Sequence, residues 1–146
     1  MMANYPLTIV VGAPGRSSLY MNYGGLGPSF LRQNLTFIDN LYSINKESNV
    51  VFLDMIGSGF SFTANVENIP TTSEDYGTFL TEAINAFLSY ARKKYGSFKG
   101  IYIISESISL RSFIGVDEID DLRGVIHVGP WPDFYQVGQY YGVAGI

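Results

Sequence analysis

The chain has 146 residues, of which 47% are hydrophobic and 15% aromatic, and its formal net charge is −4. This composition fits one globular domain with an apolar core and excludes a largely disordered protein. No run of basic residues is longer than Arg92-Lys93-Lys94, which argues against nucleic acid as a partner. The sequence contains no cysteine, so it offers no disulfide framework, thiolate nucleophile or cysteine-ligated metal, and it favours a reducing compartment.

The first apolar run is a predicted strand, Leu7 to Val11, which is followed by a tight turn at Gly12-Ala13-Pro14-Gly15. No basic segment precedes this run, and five apolar residues are too few for a signal peptide or a spanning helix. We therefore expect an intracellular protein, cytoplasmic or in an organelle such as the mitochondrion, with no direct membrane span and no cofactor.

A long loop is predicted next, from Arg16 to Ser48, with one short helical turn near Phe30 to Gln33. A loop of this length in a small domain usually covers a site or contacts a partner. The second strand is predicted at Asn49 to Met55, because its apolar residues do not alternate with polar ones, as in a parallel strand covered by helices.

A helix is predicted from Ser73 to Tyr95 because apolar residues recur on one face at three- and four-residue spacing. These residues are Tyr76, Phe79, Leu80, Ala83, Ile84, Phe87, Leu88 and Ala91. Either Thr71 with Glu74 or Thr72 with Asp75 has the spacing of an N-terminal capping box, and Gly96 can end the helix.

The remaining predicted elements are a third strand, Gly100 to Ile104, a helix from Ser107 to about Ile114, and a fourth strand, Gly124 to Val128. Strands that alternate with helices indicate an α/β fold with about four mostly parallel strands. We expect a single domain over residues 1–146, and we expect the aromatic segment from Trp131 to Ile146 to pack on another surface.

The third strand runs into Ser105-Glu106-Ser107-Ile108-Ser109, a serine between small residues, as in the nucleophile elbow of α/β-hydrolases. Six segments in order carry a wider similarity: Gly12–Ser18, Gly25–Pro28, Asn40–Asn45, Asp54–Phe62, Ser105–Leu110 and Val128–Asp133. Together they resemble the motifs of the serine carboxypeptidase family, whose α/β-hydrolase enzymes remove C-terminal residues from peptides.

The resemblance implies roles for four residues. Ser107 lies at the position of the nucleophile, and the backbone N–H groups of Ala13 and Ile108 lie where the family forms its oxyanion hole. Glu106 matches the glutamate that, as a protonated acid, helps to bind the substrate's terminal carboxylate. The resemblance also implies a truncated α/β-hydrolase core whose outer strands, the second and the fourth in the order second, first, third, fourth, lack a neighbour.

Several positions depart from the family pattern. Val11 and Gly25 stand where the family has an asparagine and a glutamate that bind the substrate carboxylate, and Arg16 replaces a cysteine. Ser105, Ser109 and Leu110 replace small residues around the elbow. The acid and the histidine of the triad, and two strands that precede Leu7 in the family, are expected to be missing from the chain.

Other candidate sites have simpler explanations. His127 is the only histidine, and we expect it to be a hydrogen-bonded residue inside the fourth strand, away from the carboxyl end where α/β sheets place their chemistry. An acidic group, Asp117, Glu118, Asp120 and Asp121, is expected to be a solvated loop, so that no metal is predicted. Gly57-Ser58-Gly59 lacks the third glycine of a dinucleotide site.

We therefore expect a non-catalytic serine-carboxypeptidase-like protein that acts as a structural or accessory subunit, with other protein subunits covering the two outer strands. One alternative is the N-terminal half of a carboxypeptidase whose acid and histidine come from another chain. A second alternative is a small-ligand binder that uses the oxyanion pocket without turnover.

Overall fold

A computed structural model of the chain describes residues 3–13, 15–106 and 118–128. Its strands in these ranges are β1 (Leu7–Val11), β2 (Ser29–Leu31), β3 (Phe37–Asp39), β4 (Asn49–Leu53), β5 (Ile101–Glu106) and β6 (Leu122–Val128). Four of them form a sheet in the order β4-β1-β5-β6, and every neighbouring pair is parallel. The predicted α/β class, the strand order and the parallel direction are confirmed.

The helices in the same ranges are α1 (Leu19–Met21), which continues into a π-helical turn at Asn22–Leu26, and α2 (Ser73–Tyr95). Two 3-10 turns lie at Ile44–Lys46 and Val66–Asn68. None of the helices in this described part of the chain combines the length and the apolar character that crossing a bilayer requires.

The core lies between the sheet and α2. All five residues of β1 are buried, because β4 and β5 pair with its two edges. The buried cluster consists of Leu7, Ile9, Val11, Met55, Leu80, Ile84, Leu88, Ile101, Ile103 and Ile119. Burial of apolar side chains such as these is the main force that holds the helix on the sheet.

The ends of α2 agree with the prediction, and the structure selects one of the two capping pairs. Thr72 is the N-cap, and its hydroxyl accepts a hydrogen bond of 3.1 Å from the backbone N–H of Asp75. Gly96 ends the helix with a positive φ of 87°, and its N–H bonds the carbonyl of Arg92. A glycine suits this position because side chains with a β-carbon rarely adopt such a φ.

The apolar face of α2 is narrower than predicted. Phe79 is 42% exposed and Ala83 is also exposed, whereas Leu80, Ile84, Leu88 and Ala91 are buried. Phe79 and Ala83 line a cavity of about 310 Å³ together with Met55 and Phe62 from the segment that follows β4. These two positions therefore face an opening beside the core instead of the core itself.

The prediction of an irregular loop from Arg16 to Ser48 with a helical turn near Phe30 is wrong. This segment contains α1, the π-helical turn and a hairpin of β2 and β3, in which Phe30 pairs with Ile38. The hairpin turns between Arg32 and Thr36, with Leu35 at a φ of 61°. A leucine in the left-handed region is uncommon. The asparagine-glycine pair that usually marks a hairpin turn is replaced here by Asn34-Leu35.

Several strands begin or end at other residues than predicted. β4 ends at Leu53, two residues before the predicted end, while β5 extends to Glu106 and β6 begins at Leu122. The predicted helix from Ser107 to Ile114 and the aromatic segment from Trp131 to Ile146 lie outside the described residues.

Candidate active-site edge of the sheet

The carboxyl ends of the parallel strands lie at one edge of the sheet, which is where α/β folds bind ligands. Val11 pairs with Leu53 of β4 on one side and with Ser105 of β5 on the other, so the segments that follow these three strands start next to one another. Ala13 and Glu106, two of the four predicted site residues, lie at this edge. Ser107 and Ile108 lie outside the described residues, and their assigned roles stay predictions.

The described residues 12–13 and 15–18 follow β1 and contact one another closely. The N–H of Arg16 bonds the carbonyl of Ala13 at 3.0 Å, and Gly15 has a φ of 78°. A β-carbon at Gly12 would lie 3.2 Å from the carbonyl oxygen of Arg16, which leaves little room for a larger residue. The turn therefore holds the backbone of Ala13 close to the end of β1.

Asp54, directly after β4, fastens this turn to its neighbour. Its Oδ1 accepts a hydrogen bond of 2.5 Å from the N–H of Ser18, and its Oδ2 accepts one of 2.8 Å from the N–H of Phe60. Burial raises the pKa of Asp54, but hydrogen bonds from Phe60, Ser18 and Ser17 outweigh it and hold the pKa below the ordinary value of 3.8. Asp54 therefore joins the segments after β1 and β4 as an ionised acceptor.

A second connection runs parallel to the first. The hydroxyl of Ser58, which is only 3% exposed, accepts a hydrogen bond of 2.5 Å from the N–H of Gly15. Gly59 has a φ of 53°, and a β-carbon there would lie 2.1 Å from Oδ2 of Asp54. The sequence Gly57-Ser58-Gly59 thus forms a turn that is hydrogen-bonded to the segment after β1.

Arg16 forms the third connection, to the end of β5. Its Nη1 lies 3.3 Å from Oε1 of Glu106, and its guanidinium carbon lies 4.9 Å from the centre of the Tyr20 ring. The Arg16 side chain is 53% exposed and that of Glu106 is 22% exposed. The residue that departs from the family pattern therefore contacts the residue predicted to bind a substrate carboxylate.

His127 lies inside its strand, as predicted, but closer to the carboxyl end of the sheet than expected. His127 is the last residue but one of β6 and pairs in register with Ser105, so it lies at the same edge as Glu106. Its Nδ1 is hydrogen-bonded to the hydroxyl of Ser105, which is 1% exposed. The predicted hydrogen-bonded role is confirmed, and the imidazole lies one strand away from the end of β5.

The two positions that lack the family's polar side chains differ in their surroundings. Val11 stands where the family has its asparagine, and its apolar side chain is fully buried in the core. Gly25 has a φ of 147°, and its carbonyl accepts a hydrogen bond of 2.7 Å from Nδ2 of Asn40. Neither position offers a side-chain group to a substrate carboxylate.

The predicted acidic loop contacts Arg92 in the last turn of α2. Nη2 of Arg92 lies 3.0 Å from Oδ2 of Asp121 and donates a 3.1 Å hydrogen bond to the carbonyl of Asp120. Glu118, Asp120 and Asp121 are exposed. Among the residues that the structure describes, no three histidine or acidic side chains lie close enough together to hold a metal ion.

Most of the chain matches one known protein family. Residues 4–109 match the family described as serine carboxypeptidase. The chain belongs to the serine carboxypeptidase family. A structural comparison with Kex1(delta)p, a prohormone-processing carboxypeptidase from Saccharomyces cerevisiae, gives a TM-score of 0.70 at 17% identity, over 97% of this chain and 35% of that one. This likeness supports the fold.

Curated relatives in the serine carboxypeptidase family share about a third of the aligned residues. The Serine carboxypeptidase S10 family member 1 of Dictyostelium discoideum is 33% identical over 103 residues, which are 67% of this chain and 23% of that protein. The Carboxypeptidase Y homolog A of Sordaria macrospora is 35% identical over 98 residues, which are 63% of this chain and 18% of that protein. The chain thus spans about a fifth of the length of these relatives.

Sequence reasoning missed two contacts at this edge. The bond from Ser18 to Asp54 could not be seen, because the two residues are 36 positions apart and lie in segments that the sheet brings together. The pairing of Arg16 with Glu106 joins residues 90 positions apart. The only sequence signal for it is that Arg16 lies in the turn after β1 and Glu106 ends the neighbouring parallel strand β5.

Proposed function

We propose that this chain is a serine-carboxypeptidase-like protein that acts as an accessory subunit of a larger complex and does not cleave peptides itself. The observation that carries the proposal is the outer strand β6. In the described part of the chain β6 pairs on one side only, with β5. Its residues Ile126 and Val128, which point to the same face, are 60% and 50% exposed.

An apolar edge strand of this kind favours association, because its unpaired backbone groups can form hydrogen bonds with a strand from another chain. Natural proteins usually protect such edges with lysine, proline or a covering segment. β6 has one exposed charged residue near its start, Arg123, and its later part presents isoleucine and valine. Another protein subunit that adds a strand beside β6 would pair the backbone and cover both side chains.

The absence of cleavage is supported by two features of the carboxyl edge and by one chemical principle. Val11 and Gly25 offer no polar side chain for a peptide C-terminus. The imidazole of His127 is hydrogen-bonded through Nδ1 to Ser105, as in a structural role. A serine without an adjacent general base retains very little reactivity, because the members of a triad act as a unit.

One alternative rests on the family match itself, which extends over Ser107 and the elbow sequence. In that case the chain is the N-terminal part of a serine carboxypeptidase, and another chain supplies the acid and the histidine. For both the accessory subunit and the N-terminal part of an enzyme, we predict an intracellular location.

A fluorophosphonate probe separates the two, because it reacts only with an activated serine. We expect no labelling of Ser107 when the probe is applied to the native assembly, and no loss of assembly in Ser107→Ala. Labelling of the wild-type chain that disappears in Ser107→Ala would reject the accessory role and establish the enzymatic one.

The edge itself is tested by Ile126→Lys combined with Val128→Lys, with Leu35→Lys as the control at an apolar position that is 79% exposed. We expect the double variant to leave the assembly in size-exclusion chromatography with light scattering, and the control to remain in it. Circular dichroism checks that both variants stay folded. A wild-type chain that runs as a folded monomer at all concentrations, with no partner in its native source, would contradict the proposal.

A further inference from the structure

The turn of the β2–β3 hairpin contains an acceptor sequence for N-linked glycans. Residues 34–36 read Asn34-Leu35-Thr36, in which the residue between asparagine and threonine is not proline. No other asparagine in the sequence is followed two positions later by serine or threonine. Residues 31–39 are all exposed, so the triplet lies on the surface, where a transferase can reach it.

The two polar side chains of the triplet are hydrogen-bonded to each other. Oδ1 of Asn34 accepts a bond of 3.3 Å from the backbone N–H of Thr36 and a second bond of 2.7 Å from the Thr36 hydroxyl. Nδ2 of Asn34 has no acceptor among the described residues. The turn therefore fixes the amide through its oxygen and leaves its nitrogen open to solvent.

Two other asparagines, Asn40 and Asn65, form the same backbone bond without a hydroxyl. Each accepts the N–H of the residue two positions later, at 3.0 and 3.1 Å. Asn40 is only 4% exposed, and its Nδ2 already donates to two backbone carbonyls. Asn65 is exposed but is followed by Glu67. Of these three turns, that of Asn34 combines an exposed amide, an open nitrogen and a hydroxyl on the amide oxygen.

The tip of the hairpin is also apolar. Leu31 and Phe37 pair across β2 and β3 next to the turn, and Leu35 lies in it. Their exposed fractions are 43%, 57% and 79%. A cluster of exposed apolar side chains indicates contact with another molecule, and a glycan on Asn34 would remove part of this surface from water.

We propose that Asn34 is the acceptor of an N-linked oligosaccharide. In the transfer, Nδ2 forms a bond to the anomeric carbon of a polyprenyl-diphosphate-linked oligosaccharide, and the bond from that carbon to the diphosphate oxygen breaks. The diphosphate leaves with the electron pair, and one Nδ2 proton passes to a base of the transferase. The two hydrogen bonds to Oδ1 assist this step, because they stabilise the negative charge that develops on the amide as the proton leaves.

The accessory role proposed above does not enter this argument, since the hairpin turn accepts a glycan in an enzyme as well as in a subunit. N-linked glycans are characteristic of chains that enter the secretory pathway. Of the locations predicted from the sequence, glycosylation therefore selects an organelle that is reached through the endoplasmic reticulum. It excludes the cytoplasm and the mitochondrion.

The test is peptide mapping by mass spectrometry of the protein purified from its native source. Trypsin cleaves after Arg32 and Lys46, so the peptide of residues 33–46 contains Asn34 together with Asn40 and Asn45 as internal negative controls. We expect a glycan on this peptide, and we expect peptide-N-glycosidase in ¹⁸O water to leave a labelled aspartate at position 34. Recovery of the peptide without a glycan and without the label would overturn the proposal.

Four variants expressed in the same source test the role of the triplet. We expect Asn34→Gln and Thr36→Ala to abolish the glycan, and Thr36→Ser to retain it because serine keeps the hydroxyl. Asn65→Gln, at the exposed turn that lacks a hydroxyl, is the matched control and should leave the glycan unchanged. A glycan that persists in Asn34→Gln, or full modification in Thr36→Ala, would refute the assignment.

Discussion

Strands β1 and β6 are both short, parallel and apolar, but their surroundings are opposite. Every residue of β1 is buried, with Ile9 at 1% exposure, whereas Ile126 of β6 is 60% exposed. β1 has a neighbouring strand on both sides and α2 across one face, while β6 has one neighbour within the described residues. The difference shows that the same apolar residue types are buried in one strand and exposed in the other within the described residues.

The carboxyl edge of the sheet connects these two regions. On the β1 side the segments after β1 and β4 are fastened together through Asp54 and Ser58. Toward β6, a hydrogen bond between Ser105 and His127 links a side chain of β5 to one of the outer strand β6. We expect perturbations on the β1 side to affect folding, and perturbations on the β6 side to affect association.

The largest effect is expected from Ile9→Ala compared with the same change at Ile126. Ile9→Ala removes buried methyl groups from the core and should lower the free energy of unfolding by about 2–5 kcal/mol. Ile126→Ala changes an exposed side chain and should alter it by less than about 0.5 kcal/mol in the isolated chain. Urea unfolding measures both values, and equal losses would remove the distinction between the two strands.

Asp54→Asn should follow, with a loss of about 1–3 kcal/mol at pH 7, because charge-assisted hydrogen bonds to Ser18 and Phe60 are weakened. The pKa of Asp54 lies below its ordinary value of 3.8 in the folded chain. The stability that its ionisation supplies is therefore complete above about pH 4 and is lost as the pH falls through the lowered pKa.

The wild-type chain should accordingly lose its advantage over Asp54→Asn as urea unfolding is repeated at decreasing pH. Asp39→Asn, at an exposed position of β3, is the matched control and should leave the unfolding midpoint unchanged at pH 7. A constant difference between wild type and Asp54→Asn from pH 7 to pH 2 would argue against an ionised acceptor at this position.

Thr72→Ala should cost about 1 kcal/mol, because the hydroxyl that accepts the N–H of Asp75 at the start of α2 is removed. Thr71→Ala, one residue earlier and outside the cap, should cost much less. The comparison uses thermal unfolding followed by circular dichroism. It also tests the β1 side, since α2 covers the face of the sheet that contains Ile9. A similar loss in both variants would mean that the cap does not fix this end.

The smallest effect is expected from Arg92→Gln, which removes the ion pairs to Asp120 and Asp121 in the turn before β6. The acidic side chains are 89% and 59% exposed, so each pair contributes little, and the loss should be between 0 and about 1 kcal/mol. The loss should shrink further in 1 M salt, because salt screens exposed charges. A salt-independent loss well above this range would place β6 among the stability-determining elements.

The sequence by itself determined the elements with a strong local pattern. The apolar runs that gave β1, β4, β5 and β6, the periodic face and capping pair that gave α2, and the family motifs all lie within short stretches of chain. They were sufficient for the α/β class and for the strand order implied by the family. The hairpin of β2 and β3 was missed because the residue at positive φ in its turn is Leu35, where a hairpin usually has glycine or asparagine.

The tertiary structure alone decided which distant residues meet. Arg16 contacts Glu106, Ser18 donates to Asp54, and His127 bonds Ser105, in each case across neighbouring segments of the sheet. It also gave the extent of the difference between β1, which is fully buried, and β6, whose Ile126 is 60% exposed. Local composition sets the type of an element, but burial and partners depend on strand order and register, which bring together residues that are far apart in the chain.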